Sequence, residues 1–333
     1  MTTMDHGLFQ VRQEDRAVIE HLKGFIPKKV FDAHAHLYVA DTVPRVAGTA
    51  AFPLEYSTPD DYVNHMKPFL PGAEVIRCNF FTMPDPAMVD RTVLQRANDH
   101  VRRQVRGTDH VWSPYVVMSD DEQTIWETVS QPGTVAIKCY CYGKDAPKHG
   151  NLGIHEFLPE AAWVASAQTG KPIILHMQKD AALSHPENLA YIQNMCRKYP
   201  DAKLILAHCA RGFAAWTVLK SIRQLAGLEN IWYDLAAVCE AAPMAACLQA
   251  TAGKRVLWGS DYPICMHRGC AISWGLGQLW MIDELAPEDA PGCLLSAENL
   301  LATARACDLL NLDATQVQDI FYNNACRLFQ LPD

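Results

Sequence analysis

Short apolar runs rich in β-branched residues alternate with longer amphipathic stretches along most of the chain. Eight of these runs predict strands, and they begin at Val30, Glu74, His110, Val135, Pro172, Lys203, Ile231 and Val256. Between them, the stretch 86–105 spaces its apolar residues three and four positions apart, as an amphipathic helix does. Strands that alternate with helices predict a parallel sheet, because each parallel connection needs a crossover of helical length.

Eight such units in a chain of 333 residues predict an α/β fold of the (β/α)8 TIM-barrel class. The alternative, an open doubly wound sheet, would carry a glycine-rich phosphate turn after its first strand, where this chain has HAHLYVA. We expect one domain over residues 1–333, with residues 1–25 as a helical lead-in. Loops are inserted after strand one (38–57) and after strand eight (263–293), and such loops build the active sites of barrels.

The first predicted strand, in VFDAHAHLYV, carries two histidines inside an apolar run. Because side chains alternate along a strand, His34 and His36 are expected on one face, with Asp32 one step deeper on the same face. Ala33 and Ala35 are expected on the other face. In a barrel the histidine face would be the interior, and the strand end would be the catalytic rim.

Further ionisable residues stand at the ends of other predicted strands: Lys138, His176, His208 and Asp261. A barrel rim brings strand ends together although they are far apart in sequence. Neutral imidazoles and a carboxylate bind Zn²⁺ or a similar ion at about 2.0–2.2 Å, and burying these groups unpaired would be costly. The pattern therefore predicts a divalent-metal site, with Asp234 as a supporting or surface carboxylate.

The motifs DAHAHL, ILHM, LAHCARGF and LWGSDYP, together with the closing NNACRLFQL, resemble the amidohydrolase superfamily. The closest pattern is its second large family, the amidohydrolase-2 family, which holds metal-dependent hydrolases and non-oxidative decarboxylases. The resemblance spans roughly residues 28–331. One departure is the turn HCARGFAAW after strand six, where many decarboxylases of the family carry a glycine-rich turn ending in proline.

The resemblance implies a ligand set and catalytic roles. His34, His36, His176 and Asp261 would bind one metal, with zinc favoured and manganese, iron or cobalt as alternatives. Asp261 would also accept a proton from the metal-bound water, and His208 would act as a general base or acid or as a ligand of a second metal.

Three further residues are candidates for binding substrate. Lys138 could pair with a carboxylate or, if carboxylated, bridge two metals. By strand alternation, Tyr140 or Tyr142 should reach the pocket. Arg211 is expected on the opening turn of a helix, either as an anchor for a substrate carboxylate or as a solvated helix-start residue.

Aromatic and apolar residues follow strand eight. Met266, Trp274 and Trp280 are expected either to line the substrate pocket or to form the core of a capping segment.

These residues predict a metal-dependent hydrolase that activates water to attack the carbonyl of a lactone, an amide or a related acyl compound. The family resemblance alone implies an alternative, a metal-dependent decarboxylase of an unsaturated or aromatic carboxylic acid. A structural zinc protein is disfavoured, because structural sites are usually closed by four cysteine or histidine ligands.

Composition and charge limit the classes of molecule that the protein is expected to bind. The chain has 29 basic and 37 acidic residues, a net charge of −8, and no run of Lys and Arg, so we expect no nucleic acid and no anionic membrane surface. The absence of a long apolar stretch and of a signal-peptide core favours a cytoplasmic protein. The resemblance implies a small-molecule substrate and a possible homodimer, because enzymes of this kind often pair. Twelve scattered cysteines are expected to be reduced and mostly buried.

Overall fold

Eight parallel strands, one at each predicted run, form the centre of the fold. The computed structural model describes residues 10–48, 52, 54–141, 151–179, 181–282 and 292–332. The strands are β1 Lys29–Leu37, β2 Val75–Thr82, β3 Val111–Trp112, β4 Ile137–Cys139, β5 Ile173–Leu175, β6 Leu204–Leu206, β7 Ile231–Asp234 and β8 Val256–Leu257.

The strands pair in sequence order as two parallel sheets, β1-β2-β3 and β4-β5-β6-β7-β8. Parallel bridges cross both seams between the sheets: Tyr115 pairs with Lys138 on one side, and Ala35 pairs with Tyr262 on the other. At the second seam, the His36 amide donates to the Tyr262 carbonyl at 2.7 Å. The strands therefore form a ring, which confirms the predicted TIM barrel.

Helices surround the ring and provide the crossovers. They are α1 Gln13–His21, α2 Pro59–Met66, α3 Arg91–Val105, α4 Glu122–Val129, α5 Glu160–Thr169, α6 Pro186–Lys198, α7 Ala215–Ser221, α8 Ala241–Thr251, α9 Leu295–Leu309, α10 Ala314–Gln318 and α11 Asn324–Phe329. Several begin at a side-chain cap; in α3, for example, the Asp90 carboxylate accepts a hydrogen bond from the Thr92 amide. In the part of the chain that the structure describes, no helix has the length and apolarity needed to cross a bilayer.

The apolar core has two layers. One cluster fills the ring with side chains from strands on all sides of it, including Phe31, Ile174, Ile205, Trp232 and Leu257. Phe329 of α11 packs with this cluster, its ring 5.6 Å from that of Phe31. A larger cluster lies between the strands and the surrounding helices and contains buried cysteines. All twelve cysteines are free, and all except Cys239 and Cys270 are buried, as expected.

The first strand does not alternate regularly, so the expectation that Asp32 shares the histidine face is wrong. The register of β1 against β2 shifts between Asp32 and Ala35. Asp32 is turned outward and accepts a hydrogen bond from the Tyr62 hydroxyl of α2 at 2.8 Å. Ala33 packs in the ring interior, whereas Ala35 packs in the outer layer, so these two alanines do not share a face either.

Both insertions carry structure of their own. In the first, Val39 pairs with Tyr56 across the loop. The second contains an antiparallel hairpin of β9 Gly269–Trp274 and β10 Gly277–Ile282. This hairpin stands at the carboxyl end of the barrel strands, where it is able to form a wall of a site.

Candidate metal centre and active site

Each of the two histidines of β1 has its Nδ1 atom within hydrogen-bond distance of a neighbouring acceptor oxygen. His34 Nδ1 lies 2.9 Å from Asp234 Oδ2, and His36 Nδ1 lies 3.0 Å from the Thr82 carbonyl oxygen. A carbonyl and a carboxylate accept hydrogen bonds, so both imidazoles carry their proton on Nδ1. Burial lowers the pKa of both histidines, which keeps the rings neutral. Their Nε2 atoms therefore present lone pairs.

Those two lone pairs converge on Asp261. Its Oδ1 lies 3.3 Å from His34 Nε2 and 3.1 Å from His36 Nε2, and all three side chains are buried. Burial raises the pKa of Asp261, whereas positive charge in the histidine cluster lowers it below its usual range. A cation among the rings would supply that charge while the rings stay neutral. Two nitrogen lone pairs and an ionised oxygen repel one another unless a positive charge lies among them. This donor set fits a divalent cation.

Backbone geometry holds Asp261 at this point. Its φ of 65° lies in the left-handed region, which a non-glycine residue seldom adopts. The Asp261 amide donates to the His34 carbonyl at 2.8 Å. The bond across the β8–β1 seam therefore fixes the carboxylate beside the histidines.

Asp234 is the supporting carboxylate that the sequence offered as one of two alternatives, and it is buried rather than on the surface. While Oδ2 faces His34, its Oδ1 accepts hydrogen bonds from the amides of His208 at 2.8 Å and Ala236 at 3.2 Å. A second grouping, His34 with His208 and Asp234, is also close enough to surround an ion. The Nδ1 atom of His34, both Asp234 oxygens and His208 Nε2 already have hydrogen-bond partners. A single cation at Asp261 therefore fits the geometry best.

His208 and His176 form a second histidine pair beside the centre. His208 Nδ1 donates to the Ala236 carbonyl at 2.8 Å, and its Nε2 lies 2.9 Å from His176 Nδ1. Since His208 has its own proton on Nδ1, the hydrogen between the two rings belongs to His176, and His176 Nε2 keeps a lone pair. Burial is the largest cause lowering the pKa of His176.

Arg211 is not on the opening turn of a helix. Residues 208–211 form a left-handed turn with φ values of 57°, 52°, 58° and 57°, and α7 begins only at Ala215. Such a turn is strained for residues with a side chain. It brings half-buried Arg211 into the wall of the same cavity as His208.

Lys138 lies beside His34, and the described cavity wall does not include it. It is buried, its Nζ lies 3.4 Å from His34 Nε2, and it stacks over the Phe81 ring at 4.6 Å. Burial lowers its pKa to about 8, against the opposing effect of Asp234 and Asp261.

A cavity of about 220 Å³ opens over these residues. Its wall contains His36, His176, His208, Asp261, Arg211 and Tyr140, together with Met83, Pro84, Gln178, Phe213, Ile264, Gln278 and Trp280. The Tyr140 ring stacks on His176 at 4.2 Å, and its hydroxyl accepts a hydrogen bond from Gln178 at 3.0 Å. Phe213 lies 5.2 Å from His208 and 5.3 Å from Trp280, centroid to centroid, so the cavity has one polar and one aromatic side.

The apolar residues after strand eight take different places. Met266 is buried in the outer core, Trp280 lines the cavity, and Trp274 is 71% exposed near the hairpin turn. Tyr142, the other tyrosine considered for the pocket, lies outside the described residues.

Sequence reasoning missed several wall residues. Gln178 follows His176 by two positions, so alternation beyond the strand end was a signal for it. Gln278 alternates with Trp280, which was a candidate for the pocket, in GLGQLWM, a pattern of a short strand after a turn. No local sequence pattern indicated that Phe213 lines the cavity, because the left-handed turn 208–211 before it sets the direction of its side chain.

The family model described as Amidohydrolase matches residues 31–331. The chain belongs to the amidohydrolase-2 family, an enzyme family of the amidohydrolase superfamily with both hydrolases and metal-dependent decarboxylases among its members. No curated protein matches the chain by sequence.

Solved structures share the fold at low sequence identity. The chain is similar to 5-carboxyvanillate decarboxylase from Sphingomonas paucimobilis (TM-score 0.60, 12% identity, covering 92% of this chain and 100% of that one). It is also similar to an amidohydrolase from Burkholderia multivorans with bound zinc (TM-score 0.57, 14% identity, covering 91% of this chain and 100% of that one). A third similar structure is a dihydroxybenzoic acid decarboxylase from Polaromonas sp. JS666 with bound manganese (TM-score 0.57, 15% identity, covering 91% of this chain and 97% of that one).

Proposed function

We propose that this protein is a divalent-metal-dependent hydrolase that cleaves an acyl bond in a small organic substrate such as a lactone or an amide. The observation that carries the proposal is the convergence of His34 Nε2 and His36 Nε2 on Asp261 Oδ1. Groups that only accept hydrogen bonds are not buried together without a cation or a proton among them.

His34, His36 and Asp261 would hold the cation, and His176 would complete the set through its remaining lone pair. Zinc suits two or three imidazoles and a carboxylate, and manganese accepts the same ligands. One ion per chain is favoured, because Asp234 and the backbone already satisfy the other candidate atoms. A carboxylated Lys138 would be the route to two ions.

A cation bound at this point supplies Lewis acidity and lowers the pKa of a bound water. Asp261, which stays ionised, accepts a proton from the attacking water and returns it to the leaving group. His208 polarises the carbonyl or moves a proton, with its ring orientation fixed by the Ala236 carbonyl. Arg211 binds a substrate carboxylate, while Tyr140 contacts the substrate from the polar side of the cavity.

The second candidate is a carboxy-lyase that removes CO₂ from an unsaturated or aromatic acid. Two observations favour it: a guanidinium and a candidate cation site share one cavity, and several solved structures with this fold are named decarboxylases. In this reaction the carbon–carboxyl bond breaks, its electrons stay on carbon, and a proton from an acidic group replaces CO₂. Asp261 and His208 would then handle that proton.

Isotopes separate the two reactions. A panel of lactones, amides and unsaturated acids is turned over in water labelled with heavy oxygen and, separately, in deuterium oxide. The proposal expects heavy oxygen in the new carboxyl group and no CO₂. Release of CO₂ with deuterium on carbon would establish the lyase instead.

The Asp261→Asn variant tests the catalytic assignment. Because an amide cannot accept the proton, we expect kcat to fall by roughly 10²–10⁴-fold in a folded protein. Near-normal turnover by that variant would refute the role of Asp261.

A further inference from the structure

Two of the candidate metal ligands, His34 and Asp261, lie where regular strand geometry breaks down. His34 falls within the register shift of β1, and Asp261 stands in the bend after β8 with a left-handed φ of 65°. Regular ladder bonds therefore hold these two segments less completely than they hold the strands themselves. Further contacts are needed to set the distance between the two ligands.

Asp32 provides such a contact, because one of its oxygens bonds to both segments. Its Oδ1 accepts a hydrogen bond from the His34 amide at 3.0 Å and another from the Ser260 amide, also at 3.0 Å. Ser260 directly precedes Asp261, so a single atom joins the backbone at one ligand to the backbone next to the other. The other oxygen, Oδ2, accepts from the Tyr62 hydroxyl of α2 at 2.8 Å. Asp32 is fully buried and is not among the described residues that line the cavity.

The bend after β8 also packs closely against His34. A Cβ atom on Gly259 would lie 2.8 Å from the His34 Cβ, which is too close for two carbon atoms. Only glycine lets the backbone approach to this distance. The bend is therefore held against His34 by close packing as well as by the Asp32 carboxylate, and a shift of the bend would move Asp261 relative to the histidine.

Stability alone is an ordinary role for such a carboxylate. Buried side chains often accept hydrogen bonds from backbone amides that secondary structure leaves without a partner. That role accounts for the burial of Asp32 and for the number of its bonds. What it leaves out is the position of the two amides, one belonging to a candidate ligand and the other to the residue before a candidate ligand.

We propose that Asp32 is a positioning residue for the metal centre and sets the separation of His34 and Asp261 without contacting the ion. This inference rests on the proposed metal-dependent function. A metal site needs its donor atoms at closely defined distances, and partners outside the ligand set hold them there. By joining the two segments, Asp32 would keep His34 Nε2 and Asp261 Oδ1, which lie 3.3 Å apart, in reach of one ion.

The test is metal binding, measured without substrate. Asp32→Leu keeps the branched shape of the side chain and removes both acceptor oxygens, so the two amides lose their common partner. We expect the affinity for zinc to fall by roughly 10–100-fold, measured by competition with a chromophoric chelator. The visible absorption bands of the cobalt-loaded protein should also shift, because they report the geometry of the ligands. If Asp32→Leu does not fold, Asp32→Ala, which admits water to the two amides, takes its place with the same expectations.

Two further variants separate positioning from stability. In Asp32→Asn the remaining carbonyl oxygen is able to accept from both amides, while the new amino group donates to the Tyr62 hydroxyl. Its zinc affinity and cobalt spectrum should stay close to those of the wild type. Asn324→Leu is the matched control at the opposite end of β8, where Asn324 donates to the carbonyls of Gly253 and Val256 at 2.8 Å each. It should lower the melting temperature and leave both metal readouts unchanged.

Three results would overturn the proposal: wild-type zinc affinity and cobalt spectrum in folded Asp32→Leu, equal changes in Asn324→Leu, or as large a loss of affinity in Asp32→Asn. Because no turnover is measured, a wild type that binds zinc and hydrolyses no substrate would overturn the proposed reaction and leave this inference standing. A wild type that binds no zinc would overturn both.

Discussion

At the scale of single residues, the centre is organised by hydrogen bonds that decide which ring nitrogen carries the proton. Asp234 holds the proton of His34 on Nδ1, and the Thr82 carbonyl does the same for His36. Each ring is thereby turned so that Nε2 faces Asp261. Partners of this kind orient a ligand and raise its basicity without touching the metal.

The Asp234→Asn variant should therefore bind metal more weakly. The amide replaces one acceptor by a donor, which would face either His34 Nδ1 or the amides of His208 and Ala236. We expect the affinity for zinc to fall by roughly 10–100-fold, measured by competition with a chromophoric chelator. Asp201→Asn, at an exposed position, is the matched control. Wild-type affinity in folded Asp234→Asn would show that the hydrogen bond does not matter.

Alternation along strands and the strand ends together predicted which residues gather at the cavity. His36, His176, His208 and Asp261 do line one cavity, because strand ends of a barrel converge. The same rule misplaced Asp32, since a register shift in β1 turns it outward. Backbone irregularities of this kind depend on the neighbouring strand, so they cannot be predicted from local periodicity.

At the scale of elements, the β9–β10 hairpin forms the aromatic side of the cavity. Ser273 of β9 is held by Glu240, which accepts hydrogen bonds from its amide at 2.6 Å and from its hydroxyl at 2.8 Å. Trp216 Nε1 donates to the Leu276 carbonyl at 2.8 Å near the turn. The hairpin is thus held from α7 and from the residue before α8, and it presents Trp280 to the cavity.

Truncating Trp280 should weaken substrate binding without impairing the chemistry. We expect Trp280→Ala to raise KM about tenfold, the loss of one aromatic contact, and to leave kcat within a few-fold of the wild type. Trp274→Ala removes the same side chain from the exposed end of the same hairpin and should change neither constant. Equal effects of the two variants, or a loss confined to kcat, would contradict this assignment.

The hairpin and the left-handed turn could not be predicted from the pattern of apolar and polar residues along the sequence. The sequence predicts an insertion after strand eight, but the residues that hold it come from the two preceding crossovers: Trp216 lies between β6 and β7, and Glu240 between β7 and β8. The turn 208–211 departs from right-handed helical geometry although the segment AHCAR, residues 207–211, does not exclude a helix. In both cases tertiary contacts override local propensity.

At the scale of the whole molecule, α1 ties the hairpin to the barrel. Asp15 and Arg268 form a buried ion pair with bonds of 2.9 and 3.2 Å, and Asp15 also accepts from the Leu294 amide at 2.7 Å. Arg268 lies just before the hairpin and Leu294 just after the insertion, and the two residues form a β-bridge with each other. A helix at the start of the described chain therefore closes the base of a wall of the active site.

Removing one partner of this pair should be strongly destabilising, because a buried charge is left unpaired. We expect Asp15→Ala to lower the free energy of unfolding by about 3–5 kcal/mol in urea titrations. Glu20→Ala, which breaks the exposed pair with Lys23 in the same region, should cost under about 1 kcal/mol. Similar small losses in both variants would mean that α1 contributes little.

The ring itself was predictable because eight apolar runs separated by helical stretches leave few other topologies. Strand lengths were not: β3 and β8 are two residues each, shorter than their apolar runs, and the chain beyond them bends to carry side chains into the site. Asp261 stands in such a bend, four residues past the end of β8.

Metal content per chain is the measurement that bears most directly on the site. Elemental analysis of protein purified without added metal, and again after exposure to zinc or manganese and desalting, should give one divalent ion per chain. The His36→Ala variant, folded by circular dichroism, should lose that ion. A wild-type protein that retains no metal after exposure, or a variant that retains as much as the wild type, would contradict the proposed centre.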